Sequence, residues 1–125
     1  MKVYLVEDSP FIRERLSELL REIPKVVICG EAETPADALL GIEATQPEVV
    51  VIDMQLAGGS GLSVLRELQR IAPAAAPIVL TNYAFPQFRL QCLFAGAMYF
   101  FDKTAEFGKV REAIETISAR LATGD

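Results

Sequence analysis

Short apolar runs alternate with stretches in which apolar residues return every three or four positions, and the alternation repeats five times. The runs are Lys2 to Val6, Val26 to Cys29, Val49 to Ile52, Ile78 to Leu80 and Tyr99 to Asp102. Each is bounded by turn or cap residues and has the length of a buried strand rather than of a helix. Between them, Ile12, Leu16, Leu19 and Ile23 recur at helical spacing after Ser9-Pro10, a cap residue followed by a proline suited to the first helical position, and Pro24 stops the pattern. Thr34-Pro35 repeats the device for a second helix carrying Ala38, Leu39 and Ile42, which ends before Pro47.

The third helix carries Leu62, Leu65, Leu68 and Ile71 and ends at Ala72-Pro73, where the residue before proline is pushed out of helical geometry. The fourth runs from about Pro86 to Ala95, presents Phe88, Cys92 and Leu93, and has Gly96 as its C-terminal cap. In the last, Val110, Ile114, Ile117 and Leu121 share one face while Arg111, Glu112, Glu115 and Arg120 face water. The tail Thr123-Gly124-Asp125 is expected to fray. Five strands alternating with five helices through short loops predict a doubly wound α/β fold: one parallel sheet with helices on both faces and right-handed crossovers.

Composition narrows the class. The 125 residues suit one domain, 1–125, and 51 % hydrophobic with 23 % charged residues is the balance of a globular protein. No apolar stretch approaches the roughly 20 residues of a membrane span, and Met1-Lys2-Val3-Tyr4 leads straight into a strand without a signal-peptide pattern, so a cytoplasmic protein without membrane insertion is expected. The net charge of −5 and the lack of a basic run argue against direct nucleic-acid binding. Cys29 and Cys92 are far apart and in apolar settings, which reads as two free buried thiols. There is no histidine, so the usual metal ligand, general base and phosphohistidine carrier are all missing from this chain.

What remains for chemistry gathers at the strand ends. The first apolar run closes on Glu7-Asp8, the third on Asp53 ahead of a loop with Gly58, Gly59 and Gly61, the fourth on Thr81, and the fifth passes Asp102 to Lys103. A parallel sheet brings all of these to its carboxyl-terminal edge, where open α/β sheets hold their ligands. Taken singly, each has a bland reading: helix-capping acids, a loop cap, a strand threonine, a solvated lysine. Together they place three carboxylates near one ammonium and one hydroxyl. Carboxylates held close repel unless a cation sits among them, and an oxygen-only donor set favours Mg²⁺. Lys103 and Thr81 can then bind the oxygens of a phosphoryl group.

With these residues in place the chain resembles the receiver domain of two-component response regulators, including the chemotaxis regulators, over essentially its whole length. The resemblance rests on Val6-Glu7-Asp8-Ser9, the Asp53 strand with Gly61 eight residues on, Leu80-Thr81, Ala95-Gly96-Ala97 and Lys103, in that order. It implies a flavodoxin-like three-layer sandwich with five strands in the order 2-1-3-4-5, and a phosphorylation switch. Asp53 matches the phosphoacceptor, which takes its phosphoryl group from a phosphohistidine on a sensor histidine kinase or phosphotransfer protein. Asp8 matches the direct Mg²⁺ ligand, Glu7 the acid that often acts through water, and the main-chain carbonyl of Gln55 a further ligand. Thr81 and Lys103 match the phosphate-binding hydroxyl and ammonium, and Phe100 the aromatic switch. Gln55 and Tyr83 fall where relatives flank the route of the hydrolytic water, which makes them expected tuners of phosphoryl lifetime. Such a protein is a phosphoacceptor that assists its own phosphotransfer and dephosphorylation rather than a turnover enzyme.

Three departures from the family pattern stand out. Ala57 replaces a common proline, leaving the glycine-rich loop loose and its order dependent on the metal; Asn82 follows Thr81 where Ala or Gly is common; Thr104 follows Lys103 where proline is frequent. Of ten aromatic residues, eight lie from Tyr83 onward, so most are expected in the core and the rest in an apolar patch on the fourth helix, fifth strand and last helix. That face would serve a downstream protein target, a missing output domain or a homodimer. Two other readings compete: a receiver-like protein-binding module that is never phosphorylated, and a flavodoxin-like cofactor carrier. The acidic first loop disfavours the carrier, because a phosphate cradle needs glycine-rich backbone donors.

Overall fold

The computed structural model describes residues 1–124. The elements run β1 (Lys2–Val6), α1 (Pro10–Arg21), β2 (Val27–Ala32), α2 (Pro35–Thr45), β3 (Val49–Ile52), β4 (Gln55–Leu56), β5 (Gly59–Ser60), α3 (Gly61–Ile71), β6 (Ala76–Thr81), α4 (Pro86–Phe94), β7 (Tyr99–Asp102) and α5 (Lys109–Thr123). Five strands form one parallel sheet in the order β2-β1-β3-β6-β7. Counting only the strands of this sheet, that is the expected 2-1-3-4-5 order.

Alternation along the central strands sends side chains to two separate cores. Tyr4, Val6, Val50 and Ile52 join Ala38, Ile42, Leu65, Leu68 and Cys92 beneath α2, α3 and α4. Val3, Leu5, Val49 and Val51 join Leu16, Leu20, Val110 and Ile114 beneath α1 and α5. The caps predicted from the sequence are made: Ser9 Oγ accepts from the Ile12 N–H at 3.3 Å and Thr34 Oγ1 from the Asp37 N–H at 3.2 Å. Among the described residues no helix is long and apolar enough to cross a membrane.

Several boundaries and exposures differ from expectation. β2 starts at Val27 and continues past Cys29 to Ala32, because Gly30, Glu31 and Ala32 pair with Tyr4, Leu5 and Val6. This is an edge strand, so half-exposed polar residues serve there and no apolar run announces them. Cys29 is accordingly half-buried rather than buried, while Cys92 is buried. β6 is longer than Ile78–Leu80 at both ends. The loop after Asp53 is tied, not loose: Gln55 pairs with Ser60 and Leu56 with Gly59, with Gly58 turning the chain at φ 77°. Burial on α5 stops at Ile117, so Leu121 is exposed. Of the expected fraying tail, Thr123 closes α5 and Gly124 caps it, while Asp125 lies outside the described residues.

Candidate functional site

The sheet itself positions the charged residues. Main-chain bonds continue one residue beyond three strands: the Glu7 N–H donates to the Ala32 carbonyl at 3.0 Å, the Asp53 N–H to Val6 at 2.9 Å, and the Lys103 N–H to Thr81 at 2.8 Å. Each bond fixes a side chain at the carboxyl-terminal edge with the precision of a strand rather than a loop.

Lys103 is the hub. Its Nζ lies 2.7 Å from Glu7 Oε1 and 2.9 Å from Asp53 Oδ2, and all three side chains are nearly closed to solvent at 9 %, 3 % and 6 % exposure. The remaining oxygens are also held: Glu7 Oε2 accepts from the Ser9 N–H at 3.0 Å and Asp53 Oδ1 from the Gln55 N–H at 3.2 Å. Arg13 anchors the same loop by donating to the Glu7 carbonyl at 2.7 Å. Burial pushes the Glu7 carboxyl up to about 7, against the pull of the Lys103 and Ser9 donors. Burial alone would lower the Lys103 ammonium; its hydrogen bonds to Glu7 and Asp53 outweigh that and hold it above its ordinary value.

An open cleft of about 460 Å³ exposes this cluster, its lining including Glu7, Asp8, Asp53, Gln55, Asn82 and Lys103. One carboxylate oxygen from each of Glu7, Asp8 and Asp53 lies within 4.8 Å of the others. Thr81 shares the sheet edge but does not line the cleft: it is fully buried, and its hydroxyl accepts from the Tyr83 N–H at 3.2 Å. Phe100 is turned inward, 4 % exposed, with its ring edge-on to Phe88 at 6.3 Å. Tyr83 is 41 % exposed, packs its ring at a tilt to Phe85 and is not part of the cleft lining.

A family model for the response regulator receiver domain matches residues 3–115. The chain belongs to the receiver domain family. Among curated relatives, this receiver is 30 % identical over 119 residues to the DNA-binding transcriptional activator DevR/DosR of Mycobacterium tuberculosis, covering 95 % of this chain and 55 % of that protein. It is 34 % identical over 111 residues to a protein-glutamate methylesterase/protein-glutamine glutaminase of Carboxydothermus hydrogenoformans, covering 87 % of this chain and 32 % of that one. The receiver therefore spans about half or less of the length of these relatives. Among solved structures, a LuxR-family two-component response regulator from Aurantimonas superposes with a TM-score of 0.86 at 29 % identity, over 94 % of this chain and 84 % of that one.

Phosphorylation and Mg²⁺ binding at an acidic pocket are typical of receivers. The donor set here fits such an ion, because it is all oxygen, strongly anionic and gathered at one opening. Asp8, the most open of the three acids, has a free approach, whereas both Glu7 oxygens already accept hydrogen bonds. Arg15 lines the same cleft from α1, and no motif in the sequence marks it. The only local hint was Phe11 four residues earlier on the helix; the contact with Phe107 depends on the folded chain.

Proposed function

We propose that this receiver accepts a phosphoryl group on Asp53 from a phosphohistidine of a sensor histidine kinase or phosphotransfer protein, and passes the signal on through α4, β7 and α5. The observation that carries this is Lys103 held between Glu7 and Asp53 at the floor of an accessible acidic cleft. An Asp53 oxygen attacks phosphorus, the phosphorus–nitrogen bond breaks, and the imidazole nitrogen leaves with the electron pair. Asp53 enters that step oriented, since one oxygen accepts from Lys103 and the other from the Gln55 main chain. Asp8, Asp53 and the Gln55 carbonyl would hold Mg²⁺, with Glu7 acting through water. When bound, the ion offsets the charge that otherwise repels a carboxylate from an anionic phosphoryl group.

The switch follows from where Thr81 now points. To reach a phosphoryl group on Asp53 its hydroxyl must leave the Tyr83 N–H, and in this reading the Phe100 ring turns toward the space it vacates. Movement of Phe100 disturbs Phe88 and the Arg89 guanidinium, 5.8 Å from the Phe100 ring, and so reaches α4 directly. Large apolar side chains stand exposed on and before α4, with Phe85, Leu90 and Phe94 at 61 %, 55 % and 90 % among the polar Gln87, Arg89 and Gln91. That suits a downstream protein target, an output domain or a homodimer contact. Gln55, on the cleft lining, and Tyr83, carried by any shift of Thr81, are the residues we assign to phosphoryl lifetime.

Acetyl phosphate with Mg²⁺ is expected to add one phosphoryl mass to the protein, and Asp53→Asn to abolish it; uptake that survives in the variant rejects the assignment. An unphosphorylated binding module would show no uptake at all.

Metal and pH should be linked through Glu7. Its carboxyl is raised from 4.5 in the open chain to about 7 in the fold. It therefore contributes stability that is full below pH 4.5 and lost as pH rises through about 7. Adding Mg²⁺ favours the ionised acid, so its stabilising effect is expected to be larger above about pH 8 than below about pH 6. Thermal unfolding with and without Mg²⁺ checks this, and a pH-independent increment would contradict it.

A further inference from the structure

Arg15 projects from the middle of α1 and lines the cleft that holds Asp8, Asp53 and Lys103. Its guanidinium carbon lies 4.2 Å from the ring centroid of Phe107 and 5.9 Å from that of Phe11. Phe107 packs against the core beneath α1 and α5, so it is a fixed platform, while Phe11 is exposed. Among the described residues no carboxylate comes within ion-pair distance of Arg15, although three acids share the cleft. Arg13, two residues earlier, pairs with both Glu31 and Glu33.

A guanidinium held by aromatic rings, without an anionic partner, at the rim of an anion-handling cleft is preorganised for a visiting anion. The charge balance gives it a task. Glu7, Asp8 and Asp53 against Lys103 leave the cluster two negative charges in excess when all are ionised. A bound divalent cation brings that to neutrality, and the charge of an incoming phosphoryl donor is still not offset. We propose that Arg15 is a donor-binding cation, whose planar fork engages the oxygens of the phosphoryl donor before transfer to Asp53. The proposal rests on the phosphoacceptor reading of this cleft.

Acetyl phosphate at saturating Mg²⁺ is a suitable probe. In that transfer an Asp53 oxygen bonds to phosphorus, the phosphorus–oxygen bond to the acetyl group breaks, and acetate leaves with the electron pair. Arg15→Gln is expected to lower the second-order rate of uptake by about fivefold at low ionic strength and to flatten its salt dependence. The KM for acetyl phosphate should rise, with the Mg²⁺ affinity no weaker and the melting temperature lower by no more than a few degrees from the lost ring contacts. Arg15→Lys, which keeps the charge and loses the fork, should fall between the two. An Arg15→Gln rate and salt slope equal to those of the unaltered protein would overturn the proposal while leaving Asp53 as acceptor. Failure of the unaltered protein to take up phosphoryl on Asp53 would overturn both.

Discussion

Lys103→Ala is expected to slow phosphoryl uptake from acetyl phosphate by about 10²-fold, the scale of losing one preorganised electrostatic contact at a reacting centre. Nothing else in the cleft can replace that ammonium, because it is buried and touches both Glu7 and Asp53. The same change leaves two buried carboxylates facing each other without a cation, which should cost on the order of 3 kcal/mol in the metal-free protein. The two effects separate in a double variant. Adding Glu7→Gln to Lys103→Ala removes one of the opposed charges, so denaturant unfolding should recover most of the stability while uptake stays slow. Recovery of the rate along with the stability would show that Lys103 acts only by keeping the fold intact.

Gly61→Ala is expected to destabilise the fold through a single added methyl. A Cβ at this position would overlap the main-chain carbonyl oxygen of Asp53 and crowd the Ile52 side chain, and the Gly61 N–H is committed to the Met54 carbonyl at 3.0 Å. The first turn of α3 would have to move away from the end of β3, costing about 2 to 3 kcal/mol, with a melting temperature lower by roughly 10 °C. The carbonyl oxygen that the new methyl meets is that of Asp53 itself, so the reactivity of this residue should fall as well. Gly58→Ala makes the control: its space is open and only its φ of 77° is unfavourable, so it should cost about 1 kcal/mol and spare the cleft. Equal stability of the two variants would contradict this account of the glycine loop.

What the chain discloses before folding depends on whether the signal is local. β1, β3 and the helix starts at Ser9-Pro10 and Thr34-Pro35 are legible, because apolar runs and caps act within a few residues. The second half of β2 is not, since Gly30 and Glu31 are strand residues only by pairing with β1. The β4–β5 hairpin is hidden for a similar reason: glycines advertise freedom, and the pairing that removes it involves two residues on each side. Glu7, Asp8, Asp53 and Lys103 could be gathered from strand order alone, because a parallel sheet puts every strand end on one edge. The place of Arg15 depends on Phe107, at the far end of the sequence, and the inward turn of Phe100 on Phe88 and α4. Such contacts are tertiary, and periodicity carries no trace of them.

The aromatic-rich second half divides along the same line. Phe88, Tyr99, Phe101 and Phe107 are partly buried against the two cores and Phe100 is buried, whereas Tyr83, Phe85 and Phe94 stay exposed around α4. Composition foretold that some of these rings would be left outside. Which ones required knowing that α4 buries only Cys92 fully.

The most direct test traps the acyl phosphate where it forms. Protein treated with acetyl phosphate and Mg²⁺ is reduced with borohydride, which converts an aspartyl phosphate to homoserine, and then digested and sequenced by mass spectrometry. Homoserine is expected at position 53 and nowhere else, and none when Mg²⁺ is withheld. Homoserine at position 8 or 102, or an unreduced chain after confirmed exposure to the donor, would contradict it.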